Sequence, residues 1–217
     1  MTELFLYDKE KGLFKEILNK SAVMGGRYHV SPNSGQDLNT DNLDSFISDP
    51  ANGLMDTSQK YPICVCMTPK SRFTKINGLR WEEFWFSLYF LTKTYATADN
   101  QIKSLNKDTN TSAHHIWFDW QDMKNCADDF LEVLKSQLKR TVTVDAASFN
   151  FKTLFSFDSS NAVFTRLSKF NNDKLSGVNV MFTVFMYAGE CGVSDYPEDI
   201  ASSVVIPPFE IHPLHTQ

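Results

Sequence analysis

The stretch Phe84-Trp85-Phe86-Ser87-Leu88-Tyr89-Phe90-Leu91 is apolar at both alternating sets of positions: Phe84, Phe86, Leu88 and Phe90 in one, Trp85, Tyr89 and Leu91 in the other. Side chains of a β-strand alternate between its two faces, so a strand with this pattern needs cover on both sides. No other feature constrains the fold as strongly, because it calls for two layers around one strand. The chain has the material for them: 42% of its 217 residues are hydrophobic and 18 are Phe, which is too apolar for a disordered polymer. That length allows one large domain or two small ones.

The remaining elements follow from periodicity and punctuation. Leu6, Leu13, Phe14, Ile17 and Leu18 form a stripe that predicts an amphipathic leading helix within 1–19, with Gly12 its weak point. Residues 20–60 read as a long loop. From Ser31 it is dominated by Ser, Asn, Asp, Pro and Gly, with one or two helical turns around Leu43, Phe46 and Ile47. Tyr61 to Met67 reads as a buried strand. Lys70 to Arg80 holds Lys70, Arg72, Lys75 and Arg80 and no acid, and reads as a solvated loop between two buried strands. Residues 96–113 are polar and aperiodic, a second long loop. Met123, Ala127, Phe130, Leu131, Leu134 and Leu138 then recur at helical spacing, with Asp119 and Asp122 at the start and Lys135, Lys139 and Arg140 at the end.

Thr141 to Val144 is a strand candidate, and Phe149, Phe151, Leu154 and Phe155 suggest another. Two alternating runs, Val163 to Phe170 and Val178 to Tyr187, flank the connection Asn171 to Gly177 and predict a β-hairpin. Pro197, Pro207, Pro208 and Pro213 make residues 190–217 an extended arm. The sum is a single α+β domain over 1–189: a mostly antiparallel sheet packed on one face by two helices, with a closing β-hairpin and an extended C-terminal arm. Two helices cover one face. The two-sided strand therefore asks for a second layer from more strands, the arm, or a neighbouring subunit, and oligomerisation is expected on that ground.

Charge sharpens the picture. The chain carries 21 Lys and Arg against 26 Asp and Glu, a net charge of −5. After Lys174 there is no further Lys or Arg, and five acids follow: Glu190, Asp195, Glu198, Asp199 and Glu210. An acidic balance disfavours a general nucleic-acid coat, which needs a basic field to displace counterions, and no sequence-specific nucleic-acid role is expected. The first residues lack the basic and apolar regions of a signal peptide, and no window is long and apolar enough for a membrane span. Cys64, Cys66, Cys126 and Cys191 show no metal-ligand spacing and read as buried thiols in a reducing compartment.

Chemistry-bearing constellations are sparse. His115 and Asp119, beside His114 and Asp122, stand four apart on a helix and could chelate a metal of a hydrolase; a helix cap is the plainer reading, since a third ligand is lacking. His29 could serve a serine as base, but there is no G-x-S-x-G, and the Gly-rich phosphate loops are absent. Glu82-Glu83 and Asp128-Asp129 point in different directions on a regular element. The expectation is a protein that is not an enzyme and needs no cofactor. Phe73 and Trp81 interleave the basic stretch as a stacking platform for single strands would. A second use is a head-to-tail contact in which the basic stretch of one subunit meets the acidic arm of the next and closes a ring.

The order of leading helix, Tyr61-Pro62-Ile63-Cys64-Val65 strand, Trp85 to Leu91 strand, central helix from His115 to Leu138 and closing hairpin resembles tail-terminator and tail-completion proteins, the small α+β proteins at the neck of long-tailed bacteriophages. The segment Lys169-Phe170-Asn171-Asn172-Asp173-Lys174-Leu175-Ser176-Gly177-Val178-Asn179-Val180-Met181-Phe182-Thr183-Val184 is similar to a hairpin of such proteins in phages and prophages of Bacteroidetes-type hosts. The likeness spans 1–19 and 61–187 by element order and only the hairpin by residues. It implies a structural virion protein, a homo-oligomeric ring, commonly a hexamer. Such a ring caps the tail tube and joins it to the head connector, after assembly in the host cytoplasm. A tail-tube or connector subunit is the neighbouring reading; a soluble ligand-binding module is a reading from another class. For a ring, the expected subunit contacts are Lys70, Arg72 and Lys75, the hairpin tip Asn171, Asn172, Asp173 and Lys174, and Glu198 and Asp199 of the arm.

Overall fold

The computed structural model describes residues 4–34, 61–93, 111–144, 147–170 and 175–188. The leading apolar stripe forms two helices instead of one, α1 (Leu4–Tyr7) and α2 (Leu13–Lys20). The break is local chemistry: the Asp8 carboxylate accepts from the amides of Glu10 and Lys11, both at 2.8 Å, an alternative to helical bonding that Asp readily offers. Gly12 closes the turn, and a Cβ there would lie 2.5 Å from the Asp8 backbone.

The loop expected over 20–60 contains a strand that the polar composition concealed. β1 (Tyr28–Ser34) runs parallel to β2 (Ile63–Ile76), and β2 pairs antiparallel with β3 (Leu79–Lys93). Arg27 ties this edge to the turn that follows α2, its side chain donating to Pro62 O at 2.6 Å and to Val23 O at 2.5 Å. The long helix α3 (Thr111–Gln137) starts within the second expected loop. Then come β4 (Thr141–Val144), β5 (Ala147–Asn150), α4 (Phe151–Leu154), β6 (Phe155–Phe157), β7 (Val163–Phe170) and β8 (Leu175–Tyr187). β4 and β5 pair with each other as a separate ribbon. The main sheet has the order β1-β2-β3-β8, and the outer edge of β8 is shared: β7 pairs with its first half and β6 with its last residues. The fold is α+β with a mostly antiparallel sheet, as expected, and the closing hairpin is β7–β8. The hairpin tip 171–174, residues 35–60 and the arm 190–217 lie outside the described residues.

The largest core fills the face toward the helices. Phe14 of α2 stands edge-on to Phe86 of β3 at 5.0 Å and to Phe130 of α3 at 5.2 Å, while Phe86 stacks on Phe182 of β8 at 5.4 Å. All four rings are buried, in the offset and edge geometries that aromatic quadrupoles favour. The opposite face carries a second, smaller cluster: Ile63, Val65, Met67, Tyr89, Leu91 and Leu175. Both alternating sets of the Phe84–Leu91 run are thus used, even numbers toward the helices and Tyr89 and Leu91 away from them.

Gly177 of β8 sits opposite Leu91 of β3 in the ladder, and a Cβ there would meet Phe90 O at 2.0 Å. Gly177→Ala is expected to cost about 2–4 kcal/mol, because backbone must move on a central strand. Phe14→Ala should cost about 3–5 kcal/mol by emptying the centre of the ring cluster. Urea denaturation of both variants against the parent chain measures the two values.

Candidate functional site

The basic stretch is not a loop. Residues Lys70 to Ile76 are the outer half of β2, and Leu79 to Trp85 pair with them. The turn is Asn77-Gly78, with φ of 51° and 80°, the Asn-Gly pair that a tight hairpin prefers because both central residues take positive φ. Asn-Gly between apolar residues was the signal in the sequence; the density of cations obscured it. β1 accompanies β2 only as far as Thr68, so among the described residues the outer edge from Lys70 onward has no pairing strand. Lys70, Arg72 and Lys75 are exposed along it, the arrangement by which charged edges resist indiscriminate pairing.

Residues directly opposite in an antiparallel ladder share a face. Thr74 faces Trp81, Arg72 faces Glu83 and Lys70 faces Trp85, and β8 adds Tyr187, Phe185 and Thr183 opposite the same three residues of β3. This is the face turned away from α2 and α3. Here Trp81, Trp85, Phe185 and Tyr187 are only partly buried, although the same face is closed over Val65 and Leu91. Arg72 donates to Glu83 at 2.7 Å and lies over the Trp85 ring at 4.8 Å, and Trp85 Nε1 donates to the other Glu83 oxygen at 3.1 Å. Trp81 meets Tyr187 edge-on at 5.6 Å. On the opposite side of the hairpin tip, Arg80 lies 3.9 Å above Phe73, which is 56% exposed. The result is a half-covered aromatic face with a fixed ion pair in its middle and cations on its rim.

A second surface lies at the other end of β8, between α3 and β7. Trp117, Trp120 and Lys124 follow one another at three- and four-residue steps along α3 with Gln121 beside them, and Phe164 and Arg166 face them from β7. They line a groove of about 180 Å³ with Val178 in its floor. Trp120 Nε1 donates to Leu167 O at 2.6 Å and pins the helix to the strand. Arg166 lies 4.8 Å from the Trp117 ring and 5.2 Å from Trp120, while Lys124 lies 4.8 Å from Phe164 and pairs with Asp128. The spacing of Trp117, Trp120 and Lys124 is present in the sequence, but nothing in it places β7 beside them.

His115 and Asp119 both fall within α3. Among the described residues no three His, Cys, Asp or Glu side chains come together as a metal would require, and no helix is long and apolar enough to cross a membrane. His29 sits half-buried on β1, its imidazole held below the usual range by burial and then by the charges of Lys15 and Lys9. Of the expected contact residues, Lys70, Arg72 and Lys75 stand together on the open edge; Asn171, Asn172, Asp173, Lys174, Glu198 and Asp199 lie outside the described residues. No protein-family model, curated protein or solved structure matches the chain.

Cys64 and Cys66 point to the helix face and are fully buried. Burial pushes the Cys66 thiol from its ordinary 9.0 up to about 12, with a bond to Tyr28 opposing; burial, and then the neighbouring Cys66 and Cys126, holds Cys64 well above its ordinary value, and Cys126 is pushed to about 12 by burial and then by Asp129 and Asp122. A thiol this reluctant to ionise is a poor nucleophile. At pH 8 these three cysteines are expected to resist alkylation in the native protein and to react on unfolding, which residue-resolved mass spectrometry reads. Because the folded thiols keep their protons above the pH at which the unfolded chain releases them, their contribution is whole below pH 9 and is lost as pH rises toward 12. The slope is at most about 1.4 kcal/mol per pH unit per thiol. Cys66→Ala should flatten that alkaline decline in denaturation midpoints.

Proposed function

We propose that the protein is a structural subunit that assembles with copies of itself through the half-covered aromatic face at the β2–β3 end of the sheet. The carrying observation is that Trp81, Trp85, Phe185 and Tyr187 stay partly exposed on a rigid sheet, beside Arg72 and Lys70. Trp, Tyr, Phe and Arg are the residues that concentrate binding energy at protein interfaces, and a sheet presents them without an ordering cost. The hairpin edge supplies a polar, cationic rim that discourages wrong pairing and sets orientation.

The setting that fits this reading is the tail or neck of a long-tailed phage, where the subunits would form a ring, commonly sixfold in the proteins resembled, between tail tube and head connector. The order of elements, with α2 before the strands, α3 in the middle and β7–β8 closing, supports that setting. No catalytic step is needed: one face matches the tube, and the rest of the ring refuses further addition.

Light scattering on the eluting full-length protein tests the assembly. A discrete oligomer at micromolar concentration is expected, and Trp85→Glu combined with Phe185→Glu should convert it to a folded monomer, with circular dichroism unchanged. A monomeric parent chain, or an oligomer indifferent to both charges, overturns the interface. Mass spectrometry of purified phage particles tests the setting separately: the chain should be present at a copy number of a ring per particle.

A further inference from the structure

We infer that the open edge of β2 from Lys70 to Ile76 is a docking site for an acidic, extended segment of another protein, which adds to the sheet as one more strand. This does not rest on the assembly reading, which uses the face built by β3 and β8 and not this edge.

The backbone comes first. β1 accompanies β2 as far as Thr68, and from Lys70 to Ile76 β2 is paired only with β3 among the described residues. That is about 23 Å of strand, along which every second residue turns its amide and carbonyl outward to an unpaired edge. An extended segment laid alongside satisfies these groups, which is how strand addition gains its affinity.

The side chains say which kind of segment. Beyond Thr68, β2 carries Lys70, Arg72 and Lys75 and no acid, and Arg80 stands opposite Lys75 in the ladder. The nearest acids of β3 are already engaged: Glu83 holds Arg72 at 2.7 Å, and Glu82 accepts from Ser71 Oγ at 2.7 Å. Lys70, Lys75 and Arg80 have no ion pair among the described residues.

The placement of the cations selects the geometry. Lys70 and Arg72 stand opposite Trp85 and Glu83, on the face away from the helices, whereas Lys75 and Arg80 lie on the other face with Phe73 and Glu82. A flat partner, whether a bilayer or the side of a folded protein, meets one face and leaves the other pair of cations in solvent. A strand added in line with the sheet reaches both, because its own side chains alternate between the two faces. Stacking of a nucleic-acid base on Phe73 is hindered, since Arg80 already lies 3.9 Å above that ring. The same edge of a second copy is also a poor partner: it would bring cations to cations, with no acid from either strand between them. What fits is a segment with carboxylates on both faces.

The probe is a synthetic peptide of about eight residues, an ordinary strand length, with glutamates on both alternating faces among threonines and valines. Its lysine counterpart is the control. NMR-detected hydrogen exchange on the full chain is expected to show the outward amides of 70–76 exchanging freely in the protein alone and protected once the glutamate peptide is added, with no protection from the lysine peptide. Methylating the peptide amides at one alternating set of positions should abolish binding and methylating the other set should leave it, because only one edge of an added strand faces β2. Lys70→Glu with Lys75→Glu should weaken the glutamate peptide about tenfold, as reversal of two exposed charges would, and should admit the lysine peptide. Lys70→Gln with Lys75→Gln serves if the reversal does not fold. Failure of the glutamate peptide to protect the edge overturns the proposal. So does equal loss from both methylated sets, or equal protection by an oligothymidylate of matching charge, since either means attraction without a ladder. Edge amides already protected in the protein alone also overturn it, because this chain or a second copy would then fill the edge.

Discussion

The contact of Phe14 with Phe86 and Phe130 holds the fold in register. α2 is only eight residues long, too short to be helical on its own in water. Its stability comes from the ring it inserts between the sheet and α3. Phe14 touches one ring from each, and Phe182 completes the set from the neighbouring strand. Because each ring is wedged by the others at defined angles, a shift of α2 or α3 by one residue would open voids at several places at once, and close-packed interiors tolerate this poorly. The break at Asp8–Gly12, the parallel placement of β1 and the Arg27 bonds to Pro62 and Val23 all serve to bring α2 to that position.

Much of this was legible in the sequence, and where it was not the reason is physical. The two-sided run from Phe84 to Leu91 announced a central strand, and Met123 to Leu138 announced α3, because alternation and helical period are strong signals over such lengths. β1 was hidden: Ser31, Pro32, Asn33 and Ser34 are poor strand formers, and the strand exists because β2 offers it a parallel edge, an interaction that no local rule can see. The outer half of β2 was misread for the opposite reason. Lys70, Arg72 and Lys75 look like loop on composition, yet the residues across from them fix the ladder and Asn77-Gly78 turns it. The groove was invisible because it needs α3 and β7 together, and those lines are some forty residues apart in the chain.

The two surfaces differ in how their charges are held. On the hairpin, Glu83 is nearly enclosed and is shared by Arg72 and the Trp85 indole. That arrangement fixes a polar point in an aromatic field and gives any docking partner a required orientation. In the groove, Arg166 lies against two indole rings and the residue stays exposed. A guanidinium can stack and donate at the same time, which an ammonium cannot do.

The split outer edge of β8 has a consequence for how this protein can change over evolutionary time. β7 ends its ladder at Met181 and β6 begins at Val184, with the short turn from Asp158 to Ala162 between them. On its inner edge β8 pairs with β3 along its whole length, from Leu175 to Tyr187, and this fixes the twist of the common body. The outer edge is different: β6 and β7 are separate short strands, so a change in one need not pass to the other. The half-covered aromatic face belongs to the β6 end and the groove to the β7 end. Selection can therefore remodel one recognition surface, through substitutions or an insertion at the Asp158–Ala162 joint, while the other keeps its geometry: the sheet is one mechanical body with two independently variable ends.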